Sequence, residues 1–366
     1  MSAKIINYFA CANSALGFVS FFEDNIKGLD RLYILKGGPG TGKSTLMKKI
    51  GNEWYQRGFD VEYIHCSSDS SSIDGAIIPA LGIGIVDGTA PHITEPQAPG
   101  AIEEYVNLGI AWDSKKLSVH KDEILDIKSK ISSCFENAYQ QFKEALSIHD
   151  EWEEIYLDNI NFGKLNEITD TIIDSFFKHK SVNRQSVVKN RFFGGFSPKG
   201  SVDFVMDLTR DIGKRYFIKG RPGSGKSTML KKIARAAQEK GFDTEIYHCG
   251  FDPNSLDMVI LRELDIAIFD STAPHEYFPE RDSDEIIDVY QLAIKPGTDE
   301  EYKTQLDSII SRYKSTINIG ISYLANAKLL HDDLEDIYID AMDFDIINKI
   351  SQDIMEKMDD YFFSMG

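Results

Sequence analysis

Arg31-Leu-Tyr-Ile-Leu-Lys36-Gly37-Gly38-Pro39-Gly40-Thr41-Gly42-Lys43-Ser44-Thr45-Leu-Met-Lys-Lys-Ile50 decides how this chain is read, because the chain contains it twice. The second copy is Lys214-Arg-Tyr-Phe-Ile-Lys219-Gly220-Arg221-Pro222-Gly223-Ser224-Gly225-Lys226-Ser227-Thr228-Met-Leu-Lys-Lys-Ile233. Each has a β-rich run, a glycine loop of the form G-x-x-x-x-G-K-[ST], and a run with helical spacing. Glycine lets the backbone turn tightly, so that several N–H groups converge on one anion. The helix that follows adds its positive end.

The repeat extends beyond the loops. Residues 31–66 align without gaps on 214–249, with 18 of 36 positions identical. The two lysines stand 183 residues apart in a chain of 366. His65-Cys66 matches His248-Cys249, Asp69 matches Asp252, and Asp74 matches Asp257. His149-Asp150 and Ile155-Tyr156 match His331-Asp332 and Ile337-Tyr338. Two domains are expected, 1–183 and 184–366, each α/β with a largely parallel sheet. In the first half the pattern predicts a strand near 4–10, a helix near 16–28, and the loop strand at 31–36. The loop helix at 43–57, a strand at 60–66, a short helix near 72–78 and a strand at 82–87 follow. Long acidic helical stretches, about 101–179 and about 284–363, are expected to form a helical hairpin or lid after each strand set.

Composition sets the class. Apolar residues make up 42% and charged residues 27%, close to globular averages. The net charge of −18 disfavours general affinity for nucleic acid or an anionic membrane. No apolar run reaches membrane-spanning length. The stretch from Lys4 to Leu16 imitates a signal peptide, but Asn7-Tyr-Phe9 matches Asn190-Arg-Phe192 inside the chain, so it reads as a domain strand. Cys11, Cys66, Cys134 and Cys249 form no C-x-x-C pair, which suggests a reducing cytoplasm.

Ile83-Gly-Ile-Val-Asp87 and Ile266-Ala-Ile-Phe-Asp270 each deliver a carboxylate at the end of an apolar strand. That is where the glycine loop would hold an anion and its metal. Thr89-Ala-Pro91-His92 and Thr272-Ala-Pro274-His275 follow, so His92 and His275 are candidates to sense a phosphate or orient a nucleophile. Asp69 and Asp252 lie just past a neighbouring strand and are the first choice for a general base, with Asp74 and Asp257 behind them. A zinc site at His65-Cys66 is disfavoured, because adjacent strand residues point to opposite faces.

These loops, with strand, lysine, hydroxyl and distant aspartate in place, resemble the P-loop NTPase superfamily. The two-copy arrangement is similar to an uncharacterised group of bacterial ATP-binding proteins with tandem halves. The resemblance implies nucleotide bound by Gly37 to Thr45 and Gly220 to Thr228, with Lys43 and Lys226 on the β- and γ-phosphates. It implies Mg²⁺ held by Ser44 and Ser227, with Asp87 and Asp270 as the Walker B carboxylates. No ABC signature and no N-K-x-D guanine motif occurs, so ATP is preferred over GTP. No Glu follows Asp87 or Asp270, so slow hydrolysis coupled to movement between the halves is expected. The alternatives are a small-molecule or nucleoside kinase, with the lid over a second substrate, and a nucleotide-gated scaffold without turnover. Duplication suggests an internal pseudo-dimer. The lids offer a surface to a protein partner.

The copies are unequal. Gly38 is replaced by Arg221 and Leu16 by Lys199. Extra positive charge near the second loop is expected to tighten triphosphate binding there.

Overall fold

A computed structural model describes residues 3–91 and 93–364. The first half runs β1 (Ile5–Phe9), β2 (Cys11–Ser14), β3 (Gly17–Ser20), α1 (Phe22–Ile26), β4 (Arg31–Lys36), α2 (Lys43–Gln56), β5 (Val61–His65), β6 (Ile73–Ile78), β7 (Ile83–Asp87) and β8 (Glu103–Asn107). Three helices follow, α3 (Ser114–Val119), α4 (Lys121–Leu157) and α5 (Phe162–Phe177). The second half repeats the order. Its strands are β9 (Val188–Phe192), β10 (Gly194–Ser197), β11 (Gly200–Asp203), β12 (Lys214–Lys219), β13 (Thr244–His248), β14 (Leu256–Leu261), β15 (Ile266–Asp270) and β16 (Glu285–Asp288). Its helices are α6 (Val205–Leu208), α7 (Lys226–Glu239), α8 (Val289–Ala293), α9 (Thr298–Glu301), α10 (Lys303–Ile339) and α11 (Phe344–Ser364).

The chain divides into two compact units that are not its sequence halves. The first takes residues 1–9, 25–137 and 323–366, and the second takes 10–24 and 138–322. The expected boundary at 183/184 therefore does not separate them. Helices α4 and α10 each carry residues of both units. The reason is packing. Ile347, Ile354 and Met358 of α11 bury themselves with Leu46, Met47, Ile50 and Trp54 of α2, in the first unit. Leu165, Ile172, Phe176 and Phe177 of α5 join Met229, Leu230 and Ile233 of α7, in the second. Each such side chain contributes about 1.5–3 kcal/mol on burial. The helices after each first-pass strand set thus complete the core around the other half's loop.

Both units are α/β. The first unit's strands lie in the order β8-β4-β7-β6-β5-β1, and the second's in the order β16-β12-β15-β14-β13-β9. All neighbours run parallel except β6 and β14, which are antiparallel to both flanking strands. β6 replaces the short helix expected near 72–78. Its six residues, Ile-Asp-Gly-Ala-Ile-Ile, are all buried, and its three β-branched isoleucines favour a strand. The helix expected near 16–28 is also corrected. Ser14 and Gly17 close a hairpin between β2 and β3, with the Ser14 hydroxyl donating to the Gly17 carbonyl at 2.7 Å and Gly17 at φ 89°. A positive φ is poorly tolerated inside a helix, and only the five residues of α1 remain helical. Ser197 and Gly200 close the β10–β11 hairpin in the same way. In the acidic stretch, 103–107 is strand and helix begins at Ser114. Among the described residues, no helix is long and apolar enough to cross a membrane.

One charged pair is wholly enclosed. Arg215 on β12 donates from Nε and Nη2 to both oxygens of Asp284, at 2.8 and 2.6 Å, and both side chains are 0% exposed. The Arg215 hydrogen bonds hold the Asp284 carboxyl down at about 2. A buried guanidinium without its partner is costly. Asp284→Asn is therefore expected to destabilise the second unit by about 3–5 kcal/mol, read from chemical denaturation.

Candidate functional site

In each unit the glycine loop leaves a strand with a parallel neighbour on both sides, β4 between β7 and β8 and β12 between β15 and β16, and enters a helix. Gly40 and Gly42 have φ of 64° and 82°, and Gly223 and Gly225 have 73° and 85°, a region that favours glycine. Gly42 and Gly225 are the residues just before α2 and α7, so each helix N-terminus opens into its loop. Thr41 Oγ1 donates to the Gly38 carbonyl at 2.8 Å, and Ser224 Oγ to the Arg221 carbonyl at 2.7 Å.

The lysines curl back over their loops. Lys43 Nζ donates to the carbonyls of Gly37 and Gly38 at 3.0 and 2.7 Å, and stands 3.6 Å from Asp87. Lys226 Nζ donates to the Arg221 carbonyl at 2.8 Å and stands 3.5 Å from Asp270. Register puts these aspartates there, since Asp87 pairs across from Leu35 and Asp270 from Ile218, at the strand ends from which the loops depart. Thr89 donates its N–H and hydroxyl to Asp87, and Thr272 does the same for Asp270. Burial pushes the Asp87 carboxyl up, while Lys43 pulls it back. Ser44 and Ser227 accept from the amides of Ile73 and Leu256, at 3.1 and 2.9 Å.

The antiparallel course of β6 and β14 brings a further carboxylate to each site. Gly75 pairs with Val86 and Met258 with Phe269, so Asp74 and Asp257 flank Asp87 and Asp270. Burial, and then the charge of Asp270, push the Asp257 carboxyl up to about 7. Asp69 and Asp252 lie in the turns between β5 and β6 and between β13 and β14. They accept from Ser71 N and Ser72 Oγ, and from Asn254 N and Ser255 Oγ, closing the turns before β6 and β14. Asp69 also lies 3.6 Å from Lys328.

His275 faces Asp203, with Nδ1 at 2.7 Å from the carboxylate, and packs edge-on against Phe193. The matching position in the first half, Ser20, has no carboxylate. His92 lies outside the described residues. His65 and His248 each use both ring nitrogens on oxygen atoms, Ser70 O with Asn7 Oδ1 and Pro253 O with Asn190 Oδ1. That leaves neither imidazole free for zinc. The charge of Arg221 is met by Asp299 at 2.9 Å, and its guanidinium lies over Tyr290. The extra charge expected at the second loop is thus largely neutralised. Lys199 is exposed at the β10–β11 turn.

Each loop also meets a helix from the other sequence half, within its own unit. Gly40 N donates to Glu335 Oε1 at 3.4 Å, and the main chain of Glu153 stands directly against Gly223. Glu153 and Glu335 belong to a repeated segment, His149-Asp-Glu-Trp-Glu153-Glu-Ile-Tyr156 and His331-Asp-Asp-Leu-Glu335-Asp-Ile-Tyr338. The alignment of its ends was visible in sequence. Its position over the loops was not. His149 sits among Trp152, Phe251 and Tyr313. No family model, curated protein or solved structure matches this chain.

Burial lowers the His149 imidazole to about 4, with Lys226 adding to the effect. Its folded value lies below the unfolded value of 6.5, so between the two the unfolded chain binds more protons. The stability due to neutral His149 is complete above 6.5 and disappears as pH falls toward 4. His149→Asn should narrow the stability gap between pH 7 and pH 4.5 by about 2–3 kcal/mol, measured by urea unfolding against wild type at both pH values.

Proposed function

We propose that the chain is a tandem P-loop NTPase that binds MgATP at both loops and hydrolyses it slowly. One observation carries the reading. In each unit the loop lysine stands against a strand-end aspartate, while the serine at the helix start accepts from the first amide of the neighbouring antiparallel strand. The lysine–aspartate separations, 3.6 and 3.5 Å, agree closely between the units. A glycine turn alone does not require that approach, and both copies of the repeat keep it.

The residues present suit a magnesium triphosphate. The loop N–H groups and the α2 and α7 N-termini supply an anion cradle. A Cβ at Gly37 would lie 2.8 Å from Thr41 Oγ1, and one at Gly220 would lie 2.6 Å from Ser224 Oγ, so both loops are already closed to side chains. Lys43 and Lys226 hold loop carbonyls that a phosphate would replace as their partner. Ser44 and Ser227 would ligate Mg²⁺, with Asp87 and Asp270 behind them, and the ion would neutralise charge on the phosphates. Asp74 and Asp257, across from Asp87 and Asp270, would place a second carboxyl group near such an ion. The absence of a glutamate after either strand-end aspartate supports slow turnover.

Titration calorimetry with Mg²⁺ should count two ATP per chain. Lys43→Ala and Lys226→Ala should each remove one. A stoichiometry of one in wild type that Lys226→Ala leaves unchanged would overturn the reading of the second loop. Asp87→Asn and Asp270→Asn keep shape and remove charge. They should weaken Mg²⁺-dependent ATP binding about tenfold at their own loop, roughly 1.4 kcal/mol, and leave Mg²⁺-independent binding intact.

A further inference from the structure

Two features of the helix–loop contact have no role in the reading above. The first is steric. A Cβ at Gly40 would lie 2.7 Å from the main-chain oxygen of Glu335, and one at Gly223 would lie 2.4 Å from that of Glu153. Contacts this short do not occur for real side chains, so the helix stands against the loop only because glycine is there. The second is electrostatic. The helix brings a carboxylate to the loop: Glu335 Oε1 accepts from Gly40 N at 3.4 Å, and Glu153, whose main chain stands against Gly223, holds the same place in the repeated segment. Glu153 also feels the charge of Lys226. A carboxylate on a cradle amide occupies an anion's position.

We propose that Glu335 and Glu153 are built-in phosphate mimics that hold each loop closed, and that a triphosphate binds only by displacing them. The inference rests on the nucleotide reading and deepens it. Two anions cannot share one amide. Like charges a few ångströms apart repel each other at the effective dielectric of a protein surface. The triphosphate must therefore turn the glutamate away or lift the helical segment from the loop. Either way, ligand free energy is spent on releasing a helix. Because each mimic comes from the other sequence half, filling a loop acts on a segment covalently remote from it. The feature occurs in both units, on the same repeated H-D-x-x-E segment, which an accidental surface contact would not reproduce.

Gln in place of Glu keeps the length and the acceptor oxygen for the loop amide and removes only the charge. Glu335→Gln is made in the Lys226→Ala background and Glu153→Gln in the Lys43→Ala background, so that each titration reports one loop of the full chain. ATP and inorganic triphosphate are titrated separately with Mg²⁺. Affinity for both should rise about tenfold in each Gln variant, because the competing charge is gone while the loop is unchanged. In wild type, hydrogen exchange of residues 146–157 and 328–339 should speed up when ATP is added. An unchanged or weaker affinity in the Gln variants, or exchange that slows with ATP, would overturn the inference. In that event, ATP binding lost on Lys43→Ala and on Lys226→Ala would leave the nucleotide reading standing. If no form binds ATP or triphosphate, both fall.

Discussion

The contact on which the two sites depend is a helix main chain against a loop glycine. Glu335 against Gly40, and Glu153 against Gly223, approach so closely that no other residue fits at either glycine. Each glycine also has a positive φ, so one residue meets two separate demands, a turn and an approach. From this follows the division of the chain. The helix that reaches the first loop carries α11 behind it, and α11 fills the core against α2. The helix that reaches the second loop carries α5, which fills the core against α7. A helix docked on its own half's loop would leave those apolar faces to find other partners.

The parts of this arrangement that local pattern encodes were legible. The glycine loops, the amphipathic α2 with Leu46, Met47, Ile50 and Trp54 buried, and the apolar strands ending in Asp87 and Asp270 each follow from a short window. What was not legible depends on partners far away in sequence. The run Ile73–Ile78, interrupted by the adjacent Asp74 and Gly75, reads as a short helix. It becomes a fully buried strand because β5 and β7 leave a gap for it. Its antiparallel course then places Asp74 beside Asp87, a proximity that no spacing rule reveals. The same holds for Glu335, whose loop partner is 295 residues away.

Duplication shows which features the geometry holds constant. The lysine–aspartate pair, the serine accepting from the following strand, the turn aspartate and the helix glutamate recur in both units. The variable positions lie around them. Arg221 replaces Gly38 but brings its own counter-charge in Asp299, with Tyr156 donating to the same carboxylate at 2.7 Å. In the first unit the space over Gly38 is taken by Trp112 and Tyr338 instead. A guanidinium held by a carboxylate and stacked on Tyr290 is a packing element, and only its residual charge can reach the loop. The two loops therefore differ less in electrostatics than their sequences suggest.

A stronger difference lies at the strand-end turns. His275 is fixed by Asp203, and Asp203 also accepts from the Tyr277 hydroxyl at 2.6 Å. The His275 charge in turn acts on Asp257, whose carboxyl is pushed up by burial and by Asp270. Asp203, His275, Asp257 and Asp270 thus form a run of titratable groups ending at Lys226. The first half has Ser20 where this run begins, so its first member is missing there. The larger difference between the two loops' surroundings is thus this run of carboxylates and imidazole rather than the loop sequences themselves.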